Sequence, residues 1–296
     1  MKAPTSGVVL MVTGSVLFTG MATCVGLAYA RDPTLSTFVA SALRGGVNLL
    51  AVTLLGARDL RGLVGDGRPA LWMRGVFGGI SLMLYFTALG HLGVGEAAFL
   101  NQTASPWVAV LAPIVVGEAT PRLIWIAVAG SMVGTAFLAH PRPETGDLVG
   151  RVAGLLSGLT SAAAYLSIRK ASATNGPLSV VFYFTLVATA LSLTFALVGD
   201  VPWPVDPVVY LWLGASGLFA TVAQLLMTEA YRTGRAAGVA AAGASGPLMN
   251  ALAGWAILDQ TPDTSARIGM VILLASGIAL PLLAERSRAS GATVGS

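Results

Sequence analysis

Residues 85–121, YFTALGHLGVGEAAFLNQTASPWVAVLAPIVVGEATP, are echoed by residues 226–262, LMTEAYRTGRAAGVAAAGASGPLMNALAGWAILDQTP. A constant shift of 141 with no gap puts Thr87 on Thr228, Gly93 on Gly234, Pro106 on Pro247, Leu111 on Leu252, Ala112 on Ala253, Thr120 on Thr261 and Pro121 on Pro262. An acidic residue, Glu118 or Asp259, stands three before the last proline of each copy. The matches hold register over an apolar helix, a break and a second apolar helix, which marks an internal duplication.

Outward from that pair, the composition fixes the solvent. With 55% hydrophobic and 10% charged residues in 296 and a mean hydropathy of +0.79, the chain has more apolar surface than one soluble core can hide. It reads as an all-α polytopic membrane protein. Ten apolar runs, near 7–29, 34–56, 71–90, 94–116, 123–140, 150–168, 178–199, 207–230, 236–258 and 266–284, each approach the roughly 20 residues that span a bilayer. Short turns rich in Pro, Gly and charge separate them. The first run imitates a secretory signal, but its apolar part is too long, and a shift of 144 gives it a counterpart: Thr13 and Gly14 fall on Ser157 and Gly158, Pro33 on Pro177. It is therefore read as a retained helix. The single cysteine, Cys24, excludes an intrachain disulfide and a cysteine metal cluster.

Basic residues set the expected orientation. With a cytoplasmic N-terminus, the inner side holds Lys2, Arg58, Arg61, Arg68, Arg74, Arg122, Arg169, Lys170, Arg232, Arg235, Arg286 and Arg288; the outer side holds Arg31, Arg142, Arg151 and Arg267. That bias accounts for the basic pI without nucleic acid, for which no aromatic–basic patch exists. Five helices per copy is an odd number, so the second copy is threaded in the opposite sense. The expected fold is ten transmembrane helices as two inverted five-helix repeats around a central cavity: residues 1–145, then 146–288, with a tail at 289–296 that lacks apolar period. Inverted repeats of this kind place a site near the midplane and expose it alternately to each side.

The chain resembles the drug/metabolite transporter superfamily, EamA type, and is similar to its YddG-like amino-acid exporters. The residues that carry the resemblance are Arg44 within FVASALRGGVNLL, the LYFTALGH run at 84–91, Pro106 with Glu118, Gln224, MTEAYRTG at 227–234, and Pro247 with Asp259. It covers nearly the whole chain. The resemblance implies a ten-helix fold with a central cavity and export of small metabolites, amino acids in the exporters it is similar to, with substrate identity varying widely across the family. The Arg-, Ala- and Gly-rich composition with two lysines suggests a bacterial inner membrane, and the basic bias puts both termini on its cytoplasmic side. Two departures are Ala188, which replaces Arg44 in the second copy, and Asp259, which replaces the usual Glu.

The residues give their own reading of the cavity. Thr37, Ser41, Arg44 and Asn48 share one face of the second helix, and Arg44 is roughly 15 Å deep at 1.5 Å per residue. A central arginine needs partners, either a substrate carboxylate or backbone carbonyls and the polar cluster of the fourth helix. That cluster, Asn101, Gln102, Thr103 and Ser105, precedes Pro106, whose missing N–H frees a carbonyl. The ninth helix repeats the device with Gly243, Ser245, Gly246 and Pro247. Pro106 and Pro247 are expected hinges. Leu82 and Tyr85 of the third helix, Ser161 and Tyr165 of the sixth, and Gln224 and Met227 of the eighth complete the expected walls. Small-residue seams at Gly150, Gly154 and Gly158, and at Gly130 and Gly134, mark close helix packing, the latter within the chain or in a homodimer.

Two other classes fit less well. A membrane-embedded enzyme lacks chemistry here, because the two histidines, His91 and His140, stand near outer ends and no paired acids or metal-ligand spacing lie within a span. A channel would not require inverted halves. No catalytic residue, metal or cofactor is expected, and the expected partners are a small-molecule substrate and membrane lipid, with the chain a monomer or homodimer. No phosphate-binding G-x-x-x-x-G-K-[ST] loop occurs, so transport is not coupled to ATP hydrolysis. Glu96 and Glu229 sit near run ends and are expected to solvate or cap, not to carry protons. Glu96→Gln and Glu229→Gln should each keep flux into liposomes within about twofold of the parent; abolished flux, combined with a parent that works only under an imposed pH gradient, refutes this.

Overall fold

The computed structural model describes residues 6–92, 94–139, 148–258, 263–279 and 281–283. The boundary between the repeats, the tail at 289–296, and Gly93, His140, Asp259, Thr261 and Pro262 lie outside the described residues. Among those described, every regular element is helical: α1 (Ser6–Arg31), α2 (Thr37–Gly56), α3 (Leu60–Val64), α4 (Pro69–Leu92), α5 (Val94–Asn101), α6 (Ala104–Val115), α7 (Arg122–Ala139), α8 (Leu148–Ala171), α9 (Pro177–Val198), α10 (Pro207–Thr233), α11 (Ala236–Gly243), α12 (Ser245–Leu258) and α13 (Thr264–Leu273), which passes into a π-helical segment, Leu274–Ala279. The starts follow local chemistry. Ser36, Asp206 and Asp263 accept backbone N–H bonds from Phe38, Val208 and Ala266, while Pro177 and Pro207 begin helices where their missing N–H costs nothing.

Among the described residues, seven segments are long and apolar enough to cross a membrane. The seventh run, for instance, is α9, whereas the sixth run is α8, which is long but rich in Gly, Ser and Ala and buries residues from Gly150 to Ala171. Its low hydropathy comes from the Gly, Ser and Ala of its buried face, while Leu148, Val149, Val152, Leu155 and Leu156 are exposed on the other. The ninth run, broken into α11 and α12, is similar, since Ala236 to Ala242 are all buried. The fourth run is broken too, between α5 and α6.

Packing is reciprocal between the two copies. Contacts of α1 with α10 have their counterpart in α4 with α8, and α2 with α10 in α4 with α9. Contacts of α8 with α5 and α6 are matched by α1 with α11 and α12, while α2–α9 and α7–α13 map onto themselves. Small residues permit these approaches. A Cβ on Gly154 meets Leu100 at 2.7 Å, and Cβ atoms on Gly130 and Gly134 meet Ser276 and Leu273 at 2.8 Å, so both glycine seams are used within the chain.

Helix ends sort into two sets. At one end, Gly7 lies against Gly234, Thr174 and Asn175 donate to Asp66 at 2.6 and 3.0 Å, and Arg169 pairs with Glu118 at 2.7 Å. At the other, Arg31 pairs with Asp206 at 2.6 Å, the Ser265 hydroxyl donates to the Phe137 carbonyl at 3.1 Å, and Gly150 abuts His91. The first end carries Arg58, Arg61, Arg68, Arg122, Arg169, Lys170, Arg232 and Arg235. It is also where the largest apolar cluster lies, joining Val8, Leu71, Val108, Ala112, Ile168, Val180, Ala230 and Val239 from seven helices. At the opposite end the apolar residues fall into separate clusters, one of α1, α2, α9 and α10 and another of α4, α5 and α8. Two smaller apolar clusters also lie toward the basic end, one of α6, α7 and α11 and another of α2, α3 and α9, so buried apolar packing is more extensive there than at the opposite end.

One basic residue departs from the sequence expectation. Arg74 does not flank the membrane: it stands a turn and a half inside α4 and is 3% exposed. The loop carboxylate Asp66 is held well below its ordinary range, to about 2 from 3.8, first by the Thr174 hydroxyl, then by the Asn175 amide. Because the folded value is depressed, the stabilisation is present above pH 3.8 and is lost as pH falls toward about 2. Asp66→Asn should lower the thermal midpoint by a few degrees at pH 7 and remove that component of the acid-induced loss; an unchanged midpoint and acid limb would refute the tie.

Candidate functional site

The two breaks have a common origin. Pro106 cannot donate to the carbonyl of Gln102, and its ring crowds that carbonyl, so α5 ends at Asn101 and α6 starts at Ala104. The Gln102 carbonyl instead accepts from the Ser105 N–H at 3.1 Å. Pro247 acts likewise on Gly243, where α11 ends, and the Ala244 N–H turns back to Ala241 at 3.1 Å. The breaks meet: the buried Ser105 hydroxyl donates to the Ala240 carbonyl at 3.0 Å, joining α6 to α11. The Ser245 hydroxyl shares a hydrogen bond with Ser15 of α1 at 2.9 Å. The π-helical segment packs on the second break, with Gly277 beside Ala244 and the Ser245 nitrogen.

Between the copies, the buried Arg74 of α4 donates from Nη2 to Gln224 Oε1 of α10 at 3.1 Å. Its guanidinium lies over the Phe184 ring of α9, 3.9 Å from the centroid. Tyr165 of α8 stacks on Tyr231 of α10 at 5.3 Å between centroids, and both rings stand within electrostatic reach of Arg74. No acidic side chain pairs with Arg74 among the described residues, its Nε–H meets no acceptor, and the fully buried Tyr231 hydroxyl has no partner. Gly78 makes room for this arrangement, since a Cβ there would land on Arg74 Nη1 and on Phe184.

The other expected site residues form neighbouring groups. Asn101 donates to Ser157 at 3.0 Å and Ser161 at 3.4 Å, and Ser161 bonds Ser81 at 2.6 Å, a network across α4, α5 and α8. Gln102 reaches Ser105 at 3.4 Å. Arg44 is partly buried and donates to the Met21 sulfur at 2.9 Å, while Asn48 on the same face accepts from Thr221 at 3.0 Å. Met227 is buried in the largest apolar cluster, and Tyr85 packs with Ala88, Ala97 and Ala153, apart from the Arg74 group. Leu82 is partly buried on α4.

Sequence reasoning chose Gln224, Tyr165 and Met227 but assigned Arg74 to a flank and passed over Tyr231 and Phe184. A usable signal was present: Arg74 lies inside an apolar run, and Gly78 four residues on leaves the room that its guanidinium occupies, while Gly75 and Gly79 lie against α9. Tyr231 and Phe184 carry no such mark. Glu118, too, has a role that its spacing alone did not reveal. Besides pairing with Arg169, it accepts from the Ala236 N–H and so caps α11, while Arg169 also donates to the Arg232 carbonyl at 2.6 Å. The partly buried Glu229 pairs with Arg232 at 2.6 Å.

Comparison with known proteins gives a consistent picture. Residues 148–280 match the EamA-like transporter family. The chain is 30% identical over 275 residues to the pseudopaline exporter CntI of Pseudomonas aeruginosa, covering 93% of this chain and 95% of that one. It is 24% identical over 201 residues to a riboflavin transporter of Vibrio cholerae, covering 67% and 66% respectively. A solved crystal structure superposes with a TM-score of 0.81 at 18% identity, covering 96% of this chain and 99% of that one, which is a likeness of fold.

Gly78→Ala should destabilise the protein by about 1–3 kcal/mol through overpacking against the guanidinium. In an Arg74→Ala background the same change should cost measurably less, the remainder coming from the Phe184 ring that the new Cβ also meets, and equal penalties in the two backgrounds would show that Gly78 does not serve Arg74.

Proposed function

The chain belongs to the EamA-like transporter family, and from that premise we propose that it is a secondary carrier that exports a small metabolite, an amino acid or a close relative, by alternating access. Ten membrane-crossing helices form two oppositely threaded halves, 1–145 and 146–288, in the inner membrane with both termini on the basic, cytoplasmic side. The observation that carries this reading is the reciprocal packing, in which the principal helix contacts keep their pattern when the two copies are exchanged. A pair of halves related in this way has two arrangements of similar energy, one sealed at each end.

The arrangement in hand is sealed at the basic end. Its apolar cluster and the Glu118–Arg169 pair join loops and helices of both halves there, and the partly exposed Arg44, Asn101, Gln102 and Gln224 remain nearer mid-depth. The breaks before Pro106 and Pro247 are the bending points, because helix hydrogen bonds are already missing there. Substrate leaves toward the less basic side from this state. Named exporters and transporters among the relatives support transport as the activity and export as its direction.

The purified protein in liposomes, screened with amino acids, nucleosides and sugars, should give saturable counterflow for at least one class. Glu118→Gln should raise labelling of a Val108→Cys probe by about tenfold, equivalent to roughly 1.4 kcal/mol in favour of the state open at the basic end. Flux that rises linearly without counterflow, together with labelling unmoved by Glu118→Gln, refutes the carrier mechanism.

A further inference from the structure

We propose that Arg74, Tyr231 and Gln224 form a subsite for a carboxylate, so that the substrate of this carrier is a carboxylate-bearing metabolite held by its anionic end. The inference rests on the carrier reading and adds a chemical class to it. A guanidinium removed from water needs an anion or several acceptors, since an uncompensated buried cation is strongly unfavourable. Arg74 is 3% exposed, yet its contacts are one amide oxygen, Gln224 Oε1 at 3.1 Å, and the face of Phe184 at 3.9 Å. Both are uncharged. The Nε–H meets no acceptor, and neither does the hydroxyl of Tyr231, which is wholly buried beside the same group.

Two orphaned donors and an unmatched positive charge share one complement: a planar group with two acceptor oxygens and a negative charge. A carboxylate receives two parallel N–H bonds from a guanidinium fork and can take a third from a phenol. An alcohol or amide ligand satisfies one donor and leaves the charge unmatched. Phe184 braces the guanidinium plane, and the stacked Tyr165 and Tyr231 rings supply an apolar wall. The position is asymmetric, because the 141-residue shift places Ala215 where Arg74 stands in the first copy. One anionic end is therefore read, by α4 against α9 and α10. Arg44, bound to the Met21 sulfur on α2, is a separate group.

Protein in lipid nanodiscs should be tested with pairs matched in shape and differing in charge: leucine and leucinamide, phenylalanine and phenylalaninamide, glutarate and glutaramide. In at least one pair the acid should raise the thermal midpoint and the amide should not. Tyr231→Phe, nearly isosteric, should weaken that acid by about tenfold, and Arg74→Gln should abolish the preference for acid over amide. Acids and amides binding alike, no acid binding at all, or acid affinity unchanged in Tyr231→Phe and Arg74→Gln would each overturn the proposal. Counterflow in liposomes reports separately on the carrier reading: counterflow of an uncharged substrate with no acid preference sinks the subsite alone, and acid binding without counterflow of any pair sinks the carrier alone.

Discussion

Hydrocarbon offers no hydrogen-bond partner, so a polar group on these helices is costly unless it is matched within the bundle. Most of the hydroxyls obey this locally. Thr13, Thr53 and Thr185 return their protons to carbonyls four residues back, which removes the polar cost without linking helices. A smaller set cannot be settled within one helix and so fixes the assembly: Asn101 with Ser157, Ser105 with the Ala240 carbonyl, Asn48 with Thr221, and Arg74 with Gln224. These bonds lie where the two copies face each other.

The same constraint explains why small residues cluster at the centre. Without a hydrophobic force between helices in lipid, close approach must come from packing, and Gly and Ala allow it. Both α8 and α11, the helices with the most buried faces, are rich in Gly, Ala and Ser, and large apolar side chains such as Leu54, Ile114 and Val271 turn outward. A soluble protein would reverse that distribution. It also bears on how the proline breaks are tolerated: the carbonyl that Pro106 releases on Gln102 accepts the Ser105 N–H, and at the second break the Ala244 N–H turns back to the Ala241 carbonyl.

Sealing at one end divides the work between two kinds of contact. Apolar side chains from seven helices exclude water there, and a few charged contacts give the seal its register. Glu118 does this by holding Arg169 of α8 and the first N–H of α11 at once, so a single carboxylate ties the end of one broken helix to the start of the other. A lone exposed ion pair contributes little, but this one is part buried and shared among three elements. Such a junction can be undone as a unit, because one carboxylate is common to all its bonds.

How much of this the residues announced depends on whether the signal is local. Length, hydropathy and the two prolines determine by themselves that the chain is a set of apolar membrane helices broken before Pro106 and Pro247, because periodicity and a missing N–H act within a single helix. Polar stripes likewise singled out Asn101, Ser161 and Gln224, residues that do meet partners on other helices. What only the tertiary structure decided is which groups share a space. Arg74 reads as a flanking charge until α9 and α10 are placed beside α4, and Glu118 reads as a loop acid until α8 and α11 reach it. The physical reason is that a charge is given its role by the groups that face it, and those groups lie 51 to 150 residues away along the chain.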